Sequence, residues 1–227
     1  WHIMKIYSYY GIHEFVICLG YKGYMVKEYF ADYYLHTSDV TFDFTQGNSM
    51  MVHNNVSEPW KVTLVDTGLN AQTGCRIKRI QKYIGDEPFM LTYGDGVSNV
   101  DLNALIAAHE ATKGKAIVTM TAIQPGGRFG VLDIESSTNE VSRFVEKAKE
   151  DGGWINGGFM VVEPTVFNYL RDDDACVFET EPLETIARSG GLHAYKHTGF
   201  WQCMDTQRDK VRLEHHWETG CAPWKLW

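Results

Sequence analysis

Positive charge is scarce in this sequence. Lysine and arginine number 21 against 29 aspartates and glutamates, a formal net charge of −8. Proteins that bind polynucleotides generally rely on a basic face that displaces counterions, so this balance excludes a general nucleic-acid binder. It leaves room for a local Lys/Arg pocket that holds a small anion. Long apolar runs are missing too: none approaches the ~18–20 residues a membrane span needs. No charged start leads into an apolar stretch of signal-peptide type. Cysteine is sparse and unpatterned, since Cys18, Cys75, Cys176, Cys203 and Cys221 form no C-x-x-C and no metal-type spacing. An odd, scattered set suits reduced thiols, and with the missing leader pattern it predicts a cytoplasmic protein. There is no G-x-S-x-G nucleophile motif. His215 and His216 are consecutive in a helical stretch and do not share a face, which argues against a metal pair.

What is present is an ordinary globular composition. The chain has 227 residues, 44% apolar and 22% charged, enough for one good-sized domain. Short apolar runs alternate with helix-like stretches: strands over 14–19, 61–65 and 89–93, helices over 22–35, 76–84 and 102–112. From residue 117 the rhythm changes to strands separated by turns, over 117–123, 128–134, 141–145 and 158–162. A helix over 181–188, a strand over 193–197 and a helix over 206–217 follow. This order predicts a single α/β domain whose mixed, mainly parallel sheet is flanked by helices, with a small antiparallel segment added.

Three constellations stand out. In Leu91-Thr92-Tyr93-Gly94-Asp95-Gly96 an acid directly follows a buried strand between two glycines. Ligands of open α/β sheets bind at the carboxyl ends of strands, so Asp95 is a candidate ligand residue; a plain Asp-Gly turn is the alternative. In Phe200-Trp201-Gln202-Cys203-Met204-Asp205-Thr206 a second acid sits at a strand-to-helix junction, either as a ligand or as a helix N-cap. Two carboxylates from separate strand ends suit Mg²⁺, which takes one or two of them and completes its shell with water and substrate phosphates. The third stretch, Phe144 to Lys149 followed by the glycine-rich turn to Gly158, is either a solvated edge or a grip on a phosphorylated sugar. The row of aromatics over 21–34 suits core and subunit interface better than a base-stacking platform.

Taken in order, the segments WHIMKIYS, GYKGYMVKEYF, EPWKVTLVDTG, TGCRIKR, LTYGDGV, GGRFGVLDI, FVEKAK, WINGGFMV and FWQCMDT resemble the sugar-1-phosphate nucleotidylyltransferases, specifically the glucose-1-phosphate cytidylyltransferase branch. EPWKVTLVDTG and WINGGF carry that narrower likeness. The resemblance implies a nucleotidyltransferase-type, Rossmann-like fold and a Mg²⁺-dependent reaction of CTP with α-D-glucose 1-phosphate. The products would be CDP-glucose, for dideoxysugars of surface polysaccharide, and pyrophosphate. It further implies that Asp95 and Asp205 bind the metal and that Lys147 holds the sugar phosphate. Glu146 would bond sugar hydroxyls, Gly130 and Asn156 would line the sugar pocket, and Thr73, Gly74 and Arg76 would lie near the nucleotide. A homo-oligomer is expected.

The same resemblance implies that a first strand and a glycine-rich G-G-x-G-T-R-L phosphate loop, roughly thirty residues, belong before Trp1. Ala148 and Cys75 stand where the family usually has Pro and Gly, and Cys75 is expected to crowd the nucleotide side. The alternatives are a non-catalytic remnant that only folds, oligomerises or binds sugar phosphate, and a uridylyl- or thymidylyltransferase of the same fold. A glycosyltransferase would be expected to show D-x-D in place of Gly94-Asp95-Gly96.

Overall fold

The computed structural model describes residues 1–45, 47–54, 56–124, 131–145 and 153–227. The first half runs α1 (His2–Tyr9), β1 (Glu14–Leu19), α2 (Gly23–Ala31), α3 (Tyr33–His36), β2 (Asp39–Asp43), β3 (Ser49–His53), β4 (Lys61–Asp66), α4 (Thr73–Arg79), α5 (Gln81–Ile84), β5 (Phe89–Leu91), β6 (Gly96–Ser98) and α6 (Leu102–Glu110). The second half runs β7 (Val118–Ile123), β8 (Val131–Ile134), β9 (Val141–Val145), β10 (Ile155–Val162), α7 (Glu181–Arg188), β11 (Leu192–Lys196), β12 (Trp201–Cys203) and α8 (Gln207–Glu218). No helix among the described residues is long and apolar enough to cross a membrane. All five cysteines are unpaired.

A four-stranded sheet ordered β11-β7-β10-β5 forms the centre. Its strands β7 (VTMTAI) and β10 are buried on both faces. Along β10, Met160 and Val162 join a core with α4 and α7 residues such as Cys75, Ile77, Leu183 and Ile186. Phe159 and Val161 point the other way, into a core with Ile6, Tyr7, Leu102 and Leu105 of α1 and α6. Strict alternation on a strand therefore feeds two helix layers, the arrangement of a mixed α/β domain. The buried threonines of β7 are satisfied: Thr119 meets His109 at 2.9 Å and Thr121 donates to the Phe159 carbonyl at 2.8 Å.

The expected mixed α/β architecture is what the chain adopts, with a larger antiparallel share than the pattern suggests. Among the described residues β1·β4 and β7·β11 pair in parallel. The pairs β5·β10, β7·β10, β6·β12, β2·β3 and β8·β9 are antiparallel. The helix expected over 22–35 breaks at Asp32 into α2 and α3. The β2–β3 hairpin was not legible from the pattern; its residues are mostly exposed.

Because Met120 is fully buried in the middle of β7, Met120→Ala should lower the unfolding free energy by about 2–4 kcal/mol. Urea denaturation would show a lower midpoint at an unchanged m-value.

Candidate functional site

One short ladder joins the two aspartates. β6 and β12 pair antiparallel, with Gly96 opposite Cys203, and the Met204 N–H donates to the Asp95 carbonyl at 2.8 Å. Asp95 precedes one strand and Asp205 follows the other, so the register sets both at the same end. Partial burial raises the Asp95 pKa above its ordinary value; its own backbone N–H opposes this, and the Asp205 charge raises it further.

The competing role for Asp205 goes to its neighbour. Thr206 is the N-cap of α8, accepting from the Asp209 N–H at 3.2 Å while the Asp209 carboxylate accepts from the Thr206 N–H at 3.0 Å. This reciprocal capping box leaves the Asp205 side chain out of the helix start. Asp205 accepts a weak hydrogen bond from the Cys203 thiol at 3.4 Å. Burial, that bond and the charges of Asp205, Asp209 and Asp95 push the Cys203 pKa up to about 12. Cys203 therefore stays a neutral thiol at physiological pH and is unsuited to act as a nucleophile.

Asn156 sits on a bulge of β10. Between the pairs Asn156–Ala122 and Met160–Met120, three residues of β10 face Thr121 alone. Gly158 and Phe159 both have positive φ, +72° and +42°. A Cβ on Gly158 would come within 3.2 Å of the Thr92 hydroxyl and the Tyr93 ring, so glycine is needed there on both counts. The Asn156 carbonyl oxygen accepts from the Gly158 N–H at 2.9 Å, and its amide donates to the Tyr93 hydroxyl at 2.8 Å. The Trp201 indole N–H donates to the Gly157 carbonyl at 2.7 Å, tying the bulge to the ladder that carries the aspartates.

Thr73, Gly74 and Arg76 all lie on α4, which begins three residues before the expected start at 76. Tertiary docking sets that start. The Phe178 N–H donates to the Thr73 hydroxyl at 2.9 Å, and the Cys75 N–H donates to the Cys176 carbonyl at 3.1 Å. A Cβ on Gly74 would fall 2.9 Å from that carbonyl, which leaves no space for a larger residue. Arg76 reaches back across β1, donating to the Leu19 carbonyl at 3.0 Å and the Thr67 hydroxyl at 2.8 Å. Cys75 is fully buried, so its side chain packs in the core and does not stand at an open face. Gly130, Glu146 and Lys147 lie outside the described residues.

A family model for nucleotidyl transferases matches residues 1–203. The chain belongs to the nucleotidyl transferase family. The glucose-1-phosphate cytidylyltransferases of Salmonella typhi and Salmonella typhimurium are each 56% identical to it over 228 residues, covering 100% of this chain and 86% of theirs. The crystal structure of HddC from Yersinia pseudotuberculosis superposes with a TM-score of 0.68 at 21% identity, covering 92% of this chain and 80% of that one. At that identity the likeness is one of fold.

For a nucleotidyl transferase, the donor set at Asp95 and Asp205 fits a hard divalent cation. Two carboxylates alone leave most of a hard cation's shell to water and substrate phosphates. A Mg²⁺ ion held by two carboxylates, water and phosphates matches that arrangement. Asp95 and Gly94 also open onto a cavity of about 430 Å³ walled by Trp1, Trp217 and Trp224. Sequence reasoning missed Tyr93 and Glu179, whose contacts hold Asn156 and Thr73. Tyr93 sat in plain view beside Gly94, but Glu179 reads as an ordinary acid before a helix.

The raised pKa of Asp95 fixes the sign of a stability effect. A carboxyl whose folded pKa lies above its unfolded value penalises the fold once ionised; the penalty is absent below about pH 3.8 and complete above the folded pKa. Asp95→Asn should thus raise Tm at pH 7, with the gain vanishing near pH 3.5. Calorimetry at both pH values checks it.

Proposed function

We propose that this nucleotidyl transferase transfers a cytidylyl group from CTP to α-D-glucose 1-phosphate, giving CDP-glucose and pyrophosphate. The observation that carries the proposal is the 56% identity to glucose-1-phosphate cytidylyltransferase along the whole chain. The carboxylate pair that the β6–β12 register brings to one end supports it. A phosphate oxygen of the sugar phosphate attacks the α-phosphorus of CTP in line, a P–O bond forms, and the bond to the β-phosphate breaks to release pyrophosphate. The nucleophile is already ionised at neutral pH, so positioning and charge neutralisation supply most of the rate. Mg²⁺ bound at Asp95 and Asp205 would neutralise and orient the phosphates.

The chain's own residues then divide the positioning. Thr73, Gly74 and Arg76 take the nucleotide side, with Arg76 acting through the loop it clamps. Asn156 takes the sugar side, where the resemblance also puts Gly130, Glu146 and Lys147. Asp95, Lys147 and Asp205 are the proposed catalytic residues. We also read the chain as one nucleotidyltransferase domain of a cytoplasmic homo-oligomer whose product serves dideoxysugar and surface-polysaccharide synthesis. Exposed Tyr21, Tyr24, Tyr29, Phe42, Phe44 and Met51 are apolar side chains that a second copy would cover, which supports self-association.

The experiment is a pyrophosphate-release assay with CTP, glucose 1-phosphate and Mg²⁺, repeated with UTP and dTTP. CTP is expected to be the preferred nucleotide. Asp95→Asn should lower kcat by ~10²-fold or more. Faster turnover with UTP or dTTP, or an Asp95→Asn protein that turns over at the wild-type rate, would overturn the assignment.

A further inference from the structure

Glu179 belongs to none of the short motif segments that stand out in the sequence, yet its carboxylate touches both Thr73 and Tyr93. One oxygen accepts from the Thr73 hydroxyl at 2.5 Å. The other accepts from the Tyr93 hydroxyl at 2.7 Å. Each of these hydroxyls is itself an acceptor, Thr73 from the Phe178 N–H at 2.9 Å and Tyr93 from the Asn156 amide at 2.8 Å. Asn156 in turn accepts from the Gly158 N–H at 2.9 Å. A hydroxyl has one proton to give, so both chains of hydrogen bonds run towards Glu179, and an ionised carboxylate is the side chain that accepts from both. The chemistry of the position is therefore specific. A glutamine of the same shape would present one acceptor and one donor to two donors.

We propose that Glu179 is a positioning residue that couples the nucleotide-side start of α4 to the sugar-side bulge of β10, so that ordering either side favours the other. This rests on the proposed assignment of Thr73 to the nucleotide side and Asn156 to the sugar side. The coupling is short and contiguous: Thr73, Glu179, Tyr93, Asn156, Gly158. The bulge it reaches already holds two residues at positive φ, a conformation that neighbouring contacts must maintain.

The discriminating measurement is crossed substrate dependence. Thr73→Val removes the α4 arm together with the acceptor of the Phe178 N–H, and Tyr93→Phe removes the bulge arm while keeping the ring. Thr73→Val should raise KM for glucose 1-phosphate, and Tyr93→Phe should raise KM for CTP, each by roughly three- to tenfold. The double variant should fall short of the product of the single effects, because both act through Glu179. Glu179→Gln should raise both KM values by a similar factor. Each single variant affecting only the substrate on its own side, with a multiplicative double variant, would overturn the coupling. Amide hydrogen exchange at Gly158 gives a readout free of turnover: Thr73→Val should speed it roughly threefold or more, and unchanged protection would sink the proposal. If the wild-type protein fails to use CTP and glucose 1-phosphate, the proposed function falls, and the exchange rate at Gly158 still decides the coupling.

Discussion

Phe159 holds a backbone conformation, φ +42°, that costs a bulky side chain ~1–3 kcal/mol, and several contacts keep it there. Its ring is fully buried and stacks on Tyr7 of α1 with centroids 5.7 Å apart. The Phe159 carbonyl accepts from Thr121 at 2.8 Å, and its N–H donates to Thr92 at 3.3 Å. The bulge they stabilise turns Asn156 towards Tyr93 and presents the Gly157 carbonyl to Trp201. Through Trp201 it fixes β12, and through β12 it fixes where Asp205 stands relative to Asp95. Without the bulge, β10 would run on as a regular strand and neither connection would reach.

The site built on this frame opposes folding in one respect. Asp95 and Asp205 are two like charges set at the end of the same ladder, with a third acid, Asp209, close enough to act on Cys203. Unfolding would separate them, so the native state carries a repulsion that the packing of β6 and β12 has to offset. Gly96, Val97 and Ser98 are all buried, and Ser98 donates to the Phe200 carbonyl at 2.8 Å. Under the proposed function, that offset repulsion is what a cation bound at Asp95 and Asp205 would relieve.

Much of this was legible in the sequence. The strand at Glu14–Leu19, the helix at Glu181–Arg188 and the two aspartates at strand ends follow from local apolar pattern and turn residues. The β6–β12 ladder does not. Each strand has three residues, and the paired Gly96 and Cys203 are remote in sequence, so no local period announces them. The start of α4 was missed for a related reason: Gln72 at the cap makes no side-chain cap bond, and Thr73 is held by the distant Phe178 and Glu179. The β2–β3 hairpin lacks a buried face, which removes the alternation that would have marked it. Glu179 had no local signature because its role lies entirely in its partners.

The net charge also takes on structural meaning. α4 offers Arg76, Lys78 and Arg79 as local cations, the sort of cluster that could hold a nucleotide's phosphates. Each is turned onto the chain itself. Arg76 binds the Leu19 carbonyl and Thr67, Lys78 donates to the Phe167 carbonyl at 2.9 Å, and Arg79 pairs with Asp172 at 2.7 Å and Asp174 at 3.0 Å. Turning any of them to phosphate would cost it these partners: part-buried carbonyls for Arg76 and Lys78, and the exposed carboxylates of Asp172 and Asp174 for Arg79. α4 is therefore better suited to shape the crevice than to neutralise what enters it. Under the proposed function a cation at Asp95 and Asp205 would meet part of the charge of the triphosphate, and Lys147 that of the sugar phosphate. An acidic protein can handle a polyanion in this way because the positive charge arrives with the substrate.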